Sequence, residues 1–236
     1  MKPILEVKNL SVCFGPECII EDVSFTVEEG DYLMILGPNG AGKSVLVKAI
    51  LGVLPYHGQV IVWGQDVKKS YGKIGYVPQY LSADRFLPIN VSEMVGLGLP
   101  HTKRNKIDEV IEVVGLKGKG QLPLMALSGG QLKRVLIAQA LLKKPAILIM
   151  DEPFAGVDIV GEESVTRLLD DLRVKMKLTM IVISHDISLV YKSATKVLCI
   201  NKVRTCFGMP SDIHHKQIEQ TFGKGLKVHV KDKSDV

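Results

Sequence analysis

One segment of the chain combines glycines, a lysine and a hydroxyl at the spacing that binds a polyphosphate. Between the apolar run Tyr32–Leu36 and a helical pattern lies the sequence GPNGAGKS, which matches the Walker A form GxxxxGK[ST]. Glycines let backbone N–H groups turn inward around phosphate oxygens, and the start of the next helix adds positive potential. The lysine can reach the β- and γ-phosphates, and the hydroxyl can ligate Mg²⁺. The predicted phosphate site comprises Gly37, Pro38, Asn39, Gly40, Ala41, Gly42, Lys43 and Ser44.

A second segment ends an apolar run in two adjacent carboxylates. The run Ile147–Met150 is followed by Asp151 and Glu152, which is the Walker B form. A carboxylate at the end of a buried strand can hold Mg²⁺ directly or through water, which makes Asp151 a predicted metal ligand. Glu152 can act on the attacking water as a general base. The pattern is common by itself, but in a chain with a Walker A motif it indicates hydrolysis of a phosphate anhydride.

These segments need a parallel sheet to position them. Three apolar runs have the length and branching of strands buried on both faces, and each leads into a helical pattern. The runs are Tyr32–Leu36, Ala146–Met150 and Thr179–Ile183, and the helical patterns are Val45–Leu51, Ile159–Met176 and Ile187–Tyr191. This alternation predicts βαβ units with ligand chemistry at the carboxyl ends of the strands. Four N-terminal runs predict an antiparallel β layer instead: Ile4–Val7, Val12–Phe14, Val23–Val27 and Gln59–Val62.

Residues 86–142 change to a helical character. Asn90 followed by Glu93 predicts a helix N-cap with its capping partner. A helical stripe ends at Gly115, and Ser128 precedes another helix that Pro145 ends. The stripe consists of Ile107, Val110, Ile111 and Val114. The expected fold class is therefore α/β: a P-loop NTPase core with a mostly parallel sheet, an N-terminal antiparallel β layer and an inserted helical subdomain.

The pentapeptide LSGGQ at residues 127–131 lies at the start of that last helix. With it the sequence resembles the ABC transporter ATPase family, whose signature is LSGGQ, over residues 2 to about 222. The other marks of the family follow in the chain: Val77-Pro78-Gln79 resembles the Q-loop, Ala155-Gly156-Val157-Asp158 the D-loop, and Ser184-His185 the H-switch. The resemblance implies one ABC ATPase domain over residues 1–236. Its core would be residues 1–85 and 143–222, with a helical subdomain at about 86–142 and a basic tail at 223–236.

The resemblance also implies the chemistry of the site. Gln79 would bind Mg²⁺ or the attacking water, and His185 would contact the γ-phosphate, so these two and Glu152 would form the catalytic set. The Mg²⁺ ligands would be Ser44, Gln79 and Asp151. Phe14 lies where the family places an aromatic ring against adenine, although the family more often has tyrosine there. Val45 stands where the family usually has a second hydroxyl, which removes one contact to the α-phosphate.

The same resemblance implies that the working unit is a homodimer formed on ATP binding. A hydroxyl, backbone N–H groups and a helix start suit the signature to a γ-phosphate. In the family this is the γ-phosphate of the opposing subunit, so two chains would enclose two ATP molecules. The residues assigned to that interface are Ser128, Gly129, Gly130, Gln131 and Asp158.

Three segments resemble the zinc, manganese and iron-chelate uptake branch of the family. They are Ile74–Gln79, Asp84–Val91 and Phe154–Asp158. This likeness implies that the chain drives transport of a metal ion through an integral membrane permease, with an extracytoplasmic metal-binding protein as an indirect partner. The ATPase itself would not touch the metal.

The bulk composition is that of a globular protein, since 46% of the 236 residues are hydrophobic and 23% are charged. No run reaches the roughly 20 apolar residues that a membrane span needs, and the N-terminus does not read as a leader. We therefore expect a cytoplasmic chain that lies peripherally on the cytoplasmic face of the membrane. The net charge of +5 comes without a nucleic-acid-binding module, so no nucleic-acid partner is expected.

Cysteine and histidine spacing predicts no metal site. The cysteines are Cys13, Cys18, Cys199 and Cys206. They form two loose pairs without CxxC or zinc-ligand spacing, which favours idle thiols in a reducing compartment. Three histidines near the C-terminus lack a clustered ligand pattern and are assigned no site: His214, His215 and His229.

Other classes of function explain fewer of these features. A soluble ABC ATPase acting on an assembly scaffold or nucleic acid commonly has two cassettes or a long coiled-coil insertion, and neither is visible. A soluble scaffold partner stays open as an alternative, because only the segments that resemble the metal-uptake branch argue against it. A P-loop GTPase would need NKxD, but after Asn201-Lys202 the aspartate position holds Arg204. A binding module without catalysis would not need both Glu152 and His185.

Overall fold

The computed structural model describes residues 3–79, 88–99, 103–184, 193–201 and 204–213. They fall into two compact units, of which the first comprises Met1–Tyr71 and Ile181–Val236 and the second Gly72–Met180. The predicted helix Ile187–Tyr191, His185, the segment 84–87, the three C-terminal histidines and the basic tail lie outside the described residues.

The strands and helices follow the predicted order. The strands are β1 (Leu5–Phe14), β2 (Glu17–Val27), β3 (Tyr32–Leu36), β4 (His57–Val62), β5 (Gln65–Asp66), β6 (Ile74–Val77), β7 (Ile147–Asp151), β8 (Thr179–Ser184), β9 (Lys196–Asn201) and β10 (Arg204–Gly208). The helices are α1 (Lys43–Ile50), α2 (Val91–Gly96), α3 (Arg104–Val113), α4 (Gly129–Leu141) and α5 (Ile159–Met176). None of the helices in the described part of the chain is long and apolar enough to span a bilayer.

The first unit contains the antiparallel layer, with strand order β2-β1-β4-β5. The sequence predicted separate strands at Ile4–Val7 and Val12–Phe14, but the structure joins them into the single strand β1. A register irregularity lies between Val7 and Leu10, and Asn9 there has φ 47°. A bulge of this kind interrupts the alternation of side chains without ending the strand, which is why the pattern looked like two strands.

The prediction that the four cysteines are idle thiols was wrong. Cys13 lies directly opposite Cys18 across β1 and β2, and Cys199 lies directly opposite Cys206 across β9 and β10. Each pair is joined as a disulfide. Strand register brings these sulfurs together, and sequence spacing alone does not reveal it. The cysteine pattern therefore gives no argument for a reducing compartment.

The first unit also contains strands in the order β10-β9-β3-β8, to which β8 contributes residues 181–184. β3 and β9 run parallel, and every residue of β3 is buried. Burial on both faces explains the uninterrupted apolar run of β3. The strand ends at Leu36, where the predicted phosphate loop begins.

The second unit has the strand order β8-β7-β6, with residues 179–180 of β8 belonging to it, and it also holds α2 to α5. β6 and β7 are parallel and end together, since Val77 pairs with Met150. The predicted capping box is confirmed, because Asn90 and Glu93 exchange hydrogen bonds of 2.8 and 2.9 Å at the start of α2. Parallel strands in both units, the antiparallel layer and the helices confirm the α/β class.

Candidate functional site

The phosphate loop in the first unit depends on a glycine at the start of α1. Gly42 is the residue before the helix and has φ 95°, a left-handed conformation that L side chains rarely adopt. A β-carbon at this position would also come within 2.9 Å of Ile20 in β2. The loop can therefore pass close to β2 and enter α1 only with glycine here. The helix begins at Lys43, two residues before the predicted start.

Lys43 is held inside this loop. Its side chain is only 7% exposed, and Nζ donates to the carbonyl oxygens of Gly37 at 2.8 Å and Pro38 at 3.1 Å. The ammonium is thus fixed by backbone groups of the same loop. Ser44 and Val45 follow it as half-buried residues in the first turn of α1.

Phe14 ends β1 as an exposed ring, with 52% of its surface accessible. It pairs with Glu17, two residues beyond the pairing of Val12 with Ile20. Because Ile20 is the residue that Gly42 approaches, the hairpin that carries Phe14 adjoins the phosphate loop. An exposed aromatic ring beside such a loop suits stacking on a nucleotide base.

In the second unit, Gln79 and the two carboxylates follow the paired ends of β6 and β7. Asp151 is 5% exposed, and its Oδ1 has no hydrogen-bond partner within the described part of the chain. A buried carboxylate oxygen without a partner is costly, so this atom suits a cation. Burial, and next the charge of Asp151, raise the pKa of Tyr76 to about 12. The residues present therefore fit Mg²⁺ at Asp151.

Glu152 has an unusual backbone. Its φ is 46°, in the left-handed region that few residues other than glycine and asparagine adopt readily. Its carbonyl oxygen accepts the N–H of Ala155 at 3.1 Å, which closes a turn directly after β7. Conformations of this cost concentrate at functional sites, where the surrounding structure enforces them.

The signature residues begin α4 with a capping box. Gln131 N–H donates to Ser128 Oγ at 3.3 Å, and Ser128 N–H donates to Gln131 Oε1 at 3.2 Å. Both side chains therefore fix the helix start, where backbone N–H groups concentrate positive potential.

The signature packs against the segment predicted as the D-loop. A β-carbon on Gly129 would lie 2.7 Å from the carbonyl oxygen of Gly156, so this approach requires glycine. Asp158 caps the next helix, α5, by accepting the N–H of Gly161 at 3.1 Å. The second unit thus brings two helix starts together, one from each motif.

Sequence reasoning missed Lys133, which lies in α4 just beyond the signature. It is 4% exposed, and Nζ donates to the carbonyl oxygens of Gln79 at 3.0 Å and Pro78 at 3.2 Å. Burial lowers the pKa of Lys133 to about 8, although the charge of Asp151 acts in the opposite direction. The signal was helical spacing, because Lys133 lies three residues before the buried Leu136 and so falls on the buried side of α4.

The neighbouring Arg134 was missed as well. Its guanidinium donates to the carbonyl oxygen of Val114, to the carbonyl oxygen of Ser164 and to Ser164 Oγ. It therefore ties α4 to the end of α3 and to the N-terminal half of α5. The two consecutive cations of α4 make their contacts with different parts of the second unit.

The predicted site residues thus form two groups, one in each unit. The first unit holds Phe14, the phosphate loop from Gly37 to Ser44, and Val45. The second holds Gln79, Ser128 to Gln131, Asp151, Glu152 and Asp158. A glycine-rich loop before a helix in one group, and a carboxylate pair after a parallel strand in the other, define a P-loop nucleotide hydrolase.

Comparison with known proteins identifies the family to which this hydrolase belongs. The profile of the ABC transporter family matches residues 20–155. A protein of Thermotoga maritima named "Probable metal transport system ATP-binding protein" is 38% identical over 224 residues, which is 93% of this chain and 90% of the relative. The zinc import ATP-binding protein ZnuC of Saccharophagus degradans is 35% identical over 225 residues, 94% of this chain and 85% of the relative.

Solved structures agree with these relatives. The structure of cbiO1 from Clostridium perfringens, part of the ABC transporter complex cbiONQ, has a TM-score of 0.81 and 27% identity. That similarity covers 93% of this chain and 94% of cbiO1. The chain belongs to the ABC transporter family, and it is an ATPase of that family.

Proposed function

We propose that this chain is the ATP-hydrolysing subunit of a transporter that carries a metal ion of the zinc, manganese or iron class through a separate membrane permease. The observation that supports ATP hydrolysis is the buried, unpartnered Oδ1 of Asp151 next to Glu152. The metal part is supported by the names of the relatives, which refer to zinc import and metal transport at 35–38% identity. The chain acts from the cytoplasmic face of the membrane, where ATP is available.

Binding of ATP begins at the phosphate loop. Lys43 exchanges its carbonyl partners for the β- and γ-phosphates, and the N–H groups at the start of α1 bind phosphate oxygens. Phe14 stacks on the adenine. Val45 offers no hydroxyl, so affinity depends more strongly on the lysine and the aromatic ring.

Mg²⁺, when bound, neutralises the charge that develops on the phosphate oxygens. Family resemblance assigns Ser44, Gln79 and Asp151 to it, and the unpartnered Oδ1 of Asp151 is the structural observation that supports this assignment. Glu152 accepts the proton of the attacking water, and His185 holds the γ-phosphate in position for the attack.

A second copy of the chain completes each site in this proposal. The start of α4, with Ser128 to Gln131, contacts the γ-phosphate bound by the partner subunit, and Asp158 lies at the same interface. The exposed apolar side chains of Ile159 and Val160, which directly follow Asp158, suit such an interface. ATP then stabilises the dimer and hydrolysis releases it.

Growth under metal limitation tests the cargo. Cells that lack this chain and have no redundant uptake system should grow poorly in medium stripped of Zn²⁺ or Mn²⁺, and should recover when one of these metals is restored. The wild-type chain should rescue growth, and the Glu152→Gln variant should not. Full growth under depletion of each candidate metal, iron included, would exclude the metal assignment while leaving the ATPase intact.

Purification tests the permease. Tagged chain extracted with detergent should bring down a multi-spanning membrane protein in stoichiometric amount. Recovery of a soluble scaffold instead would identify the chain as a soluble ABC ATPase.

A further inference from the structure

The Lys133 side chain makes a long-range contact that family resemblance did not predict. Lys133 lies in the buried face of α4, yet its Nζ donates to the carbonyl oxygens of Pro78 and Gln79, which are 55 and 54 residues away in sequence. These two carbonyls belong to the segment that directly follows β6. One lysine therefore connects the signature helix to the backbone that carries Gln79.

A lysine at this buried position lowers the stability of the fold. A buried ammonium loses its hydration, and an apolar side chain of similar volume is often equally or more stabilising. The low pKa of Lys133, caused mainly by burial, reflects this loss. The contribution of Lys133 is therefore to position the two carbonyl groups, because its two hydrogen bonds define where they lie.

The two carbonyl oxygens fix the peptide planes on both sides of the Gln79 α-carbon. One belongs to Pro78, whose carbonyl is in the peptide bond that enters Gln79, and the other to Gln79 itself. Fixing both planes fixes φ and ψ of the residue, and with them the direction in which its side chain leaves the backbone. The Gln79 backbone is thus anchored to a helix turn only five residues beyond Ser128.

We propose that Lys133 is a positioning residue that clamps the Gln79 backbone and so places the Gln79 side chain for hydrolysis. The proposal rests on the function proposed above for Gln79. The clamp is built into the helix that begins with the signature, so a displacement of α4 transmits directly to Gln79. Lys133 acts on turnover, whereas nucleotide affinity is set in the first unit by the phosphate loop and Phe14.

Backbone hydrogen exchange tests the clamp without any need for activity. In the purified full chain, Lys133→Met should accelerate exchange of the Gln79 N–H, which shares a peptide plane with the clamped Pro78 carbonyl. Lys133→Arg, which still offers two N–H donors, should slow it again. Lys143→Met, at an exposed lysine shortly after α4, is the matched control and should change nothing there. Unchanged exchange in Lys133→Met would overturn the proposal.

Kinetics test the positioning role. Lys133→Met should lower kcat by about 10–100-fold, the size expected for a displaced reacting group, with KM for ATP changed by less than about twofold. Lys133→Arg should recover part of the loss. Circular dichroism at the assay temperature must show folded protein for each variant.

A double variant shows whether Lys133 works through Gln79. If it does, adding Lys133→Met to Gln79→Ala should lower kcat no further than Gln79→Ala alone. Full additivity of the two losses, or a large rise in KM with unchanged kcat, would overturn the proposal. A wild-type chain without any ATPase activity would instead refute the proposed function, and the exchange experiment would then decide by itself whether the clamp exists.

Discussion

Two buried lysines, one in each unit, each donate to a pair of backbone carbonyls. Lys43 binds Gly37 and Pro38 of its own loop, six and five residues back along the chain. Lys133 binds Pro78 and Gln79, more than 50 residues away. The first contact is local and forms whenever the loop folds. The second forms only when the second unit has assembled around α4.

This difference separates the tasks of the two regions. The phosphate loop is self-contained, so changes there should alter how tightly nucleotide binds. The second unit assembles its groups from distant segments, so changes there should alter turnover. Variants of Glu152, Lys43 and Phe14 test whether affinity and turnover separate in this way, and a Gly129 variant tests how tightly the second unit is packed.

The largest effect is expected at Glu152. Glu152→Gln removes the general base while keeping size and packing, and should lower kcat by about 10²–10⁴-fold with little change in nucleotide affinity. With ATP and Mg²⁺ the variant should then persist as a dimer, because hydrolysis no longer releases the partner. Size-exclusion chromatography with light scattering measures this directly.

Two controls accompany that experiment. The variant with ADP should stay monomeric, and so should the double variant with Lys43→Ala, which lacks the phosphate contact. If Glu152→Gln binds ATP yet remains a monomer well above its Kd, the shared site does not form in the isolated chain.

Lys43→Ala should produce the next largest effect, and it should be on binding. Hydrogen bonds to charged groups contribute about 1.5–3 kcal/mol, so nucleotide affinity should fall by about 10–100-fold. Isothermal titration with a non-hydrolysable ATP analogue measures it. Lys48→Ala, at an exposed lysine in the same helix, is the matched control. Normal affinity in Lys43→Ala would contradict the assigned phosphate site.

Gly129→Ala should weaken the second unit itself. The added methyl would meet the Gly156 carbonyl oxygen at 2.7 Å, so signature and D-loop segments must move apart. Overpacking of this kind costs about 1–3 kcal/mol, which corresponds to a fall in Tm of several degrees. Gly72→Ala in the same unit, where a methyl group meets nothing within 4 Å, should leave Tm unchanged. An equal shift in both variants would argue against tight packing at Gly129.

Phe14→Ala should have the smallest effect and should again act on binding. Loss of the stacked ring should raise KM for ATP by about five- to tenfold, at the lower end of base–aromatic stacking energies, with less effect on kcat. Phe14→Tyr keeps the ring and should bind at least as well as the wild type. An unchanged KM in Phe14→Ala would mean that another residue supplies the stack.

The local features of the chain could be predicted from sequence. The bounds of β3 and α5 agree residue for residue with the predicted runs, because an uninterrupted apolar strand and a capped amphipathic helix are each specified within one segment. The capping residue Asn90 was predicted for the same reason, since a capping box spans only four residues. Ser128 was predicted to precede α4, and the structure adds its capping box with Gln131.

Features that depend on strand register, on packing between elements or on an unusual backbone conformation were not predicted. The Cys13–Cys18 contact follows from strand register and not from spacing. The Lys133 contact requires α4 to lie beside the end of β6, which no local pattern encodes. The left-handed backbone of Glu152 is equally invisible, because glutamate has no preference for that conformation.

The backbone of Glu152 has a consequence for how this chain can change over time. A residue with a β-carbon in the left-handed region costs about 1–2 kcal/mol. Asparagine at position 152 would therefore give a less strained turn, but the chain would lose its general base. Selection for stability alone would therefore favour replacement of Glu152, whereas selection for ATP turnover retains the glutamate. Consensus or computational redesign that selects for thermal stability should leave position 152 unchanged, because a substitution that stabilises the turn there would abolish ATP hydrolysis.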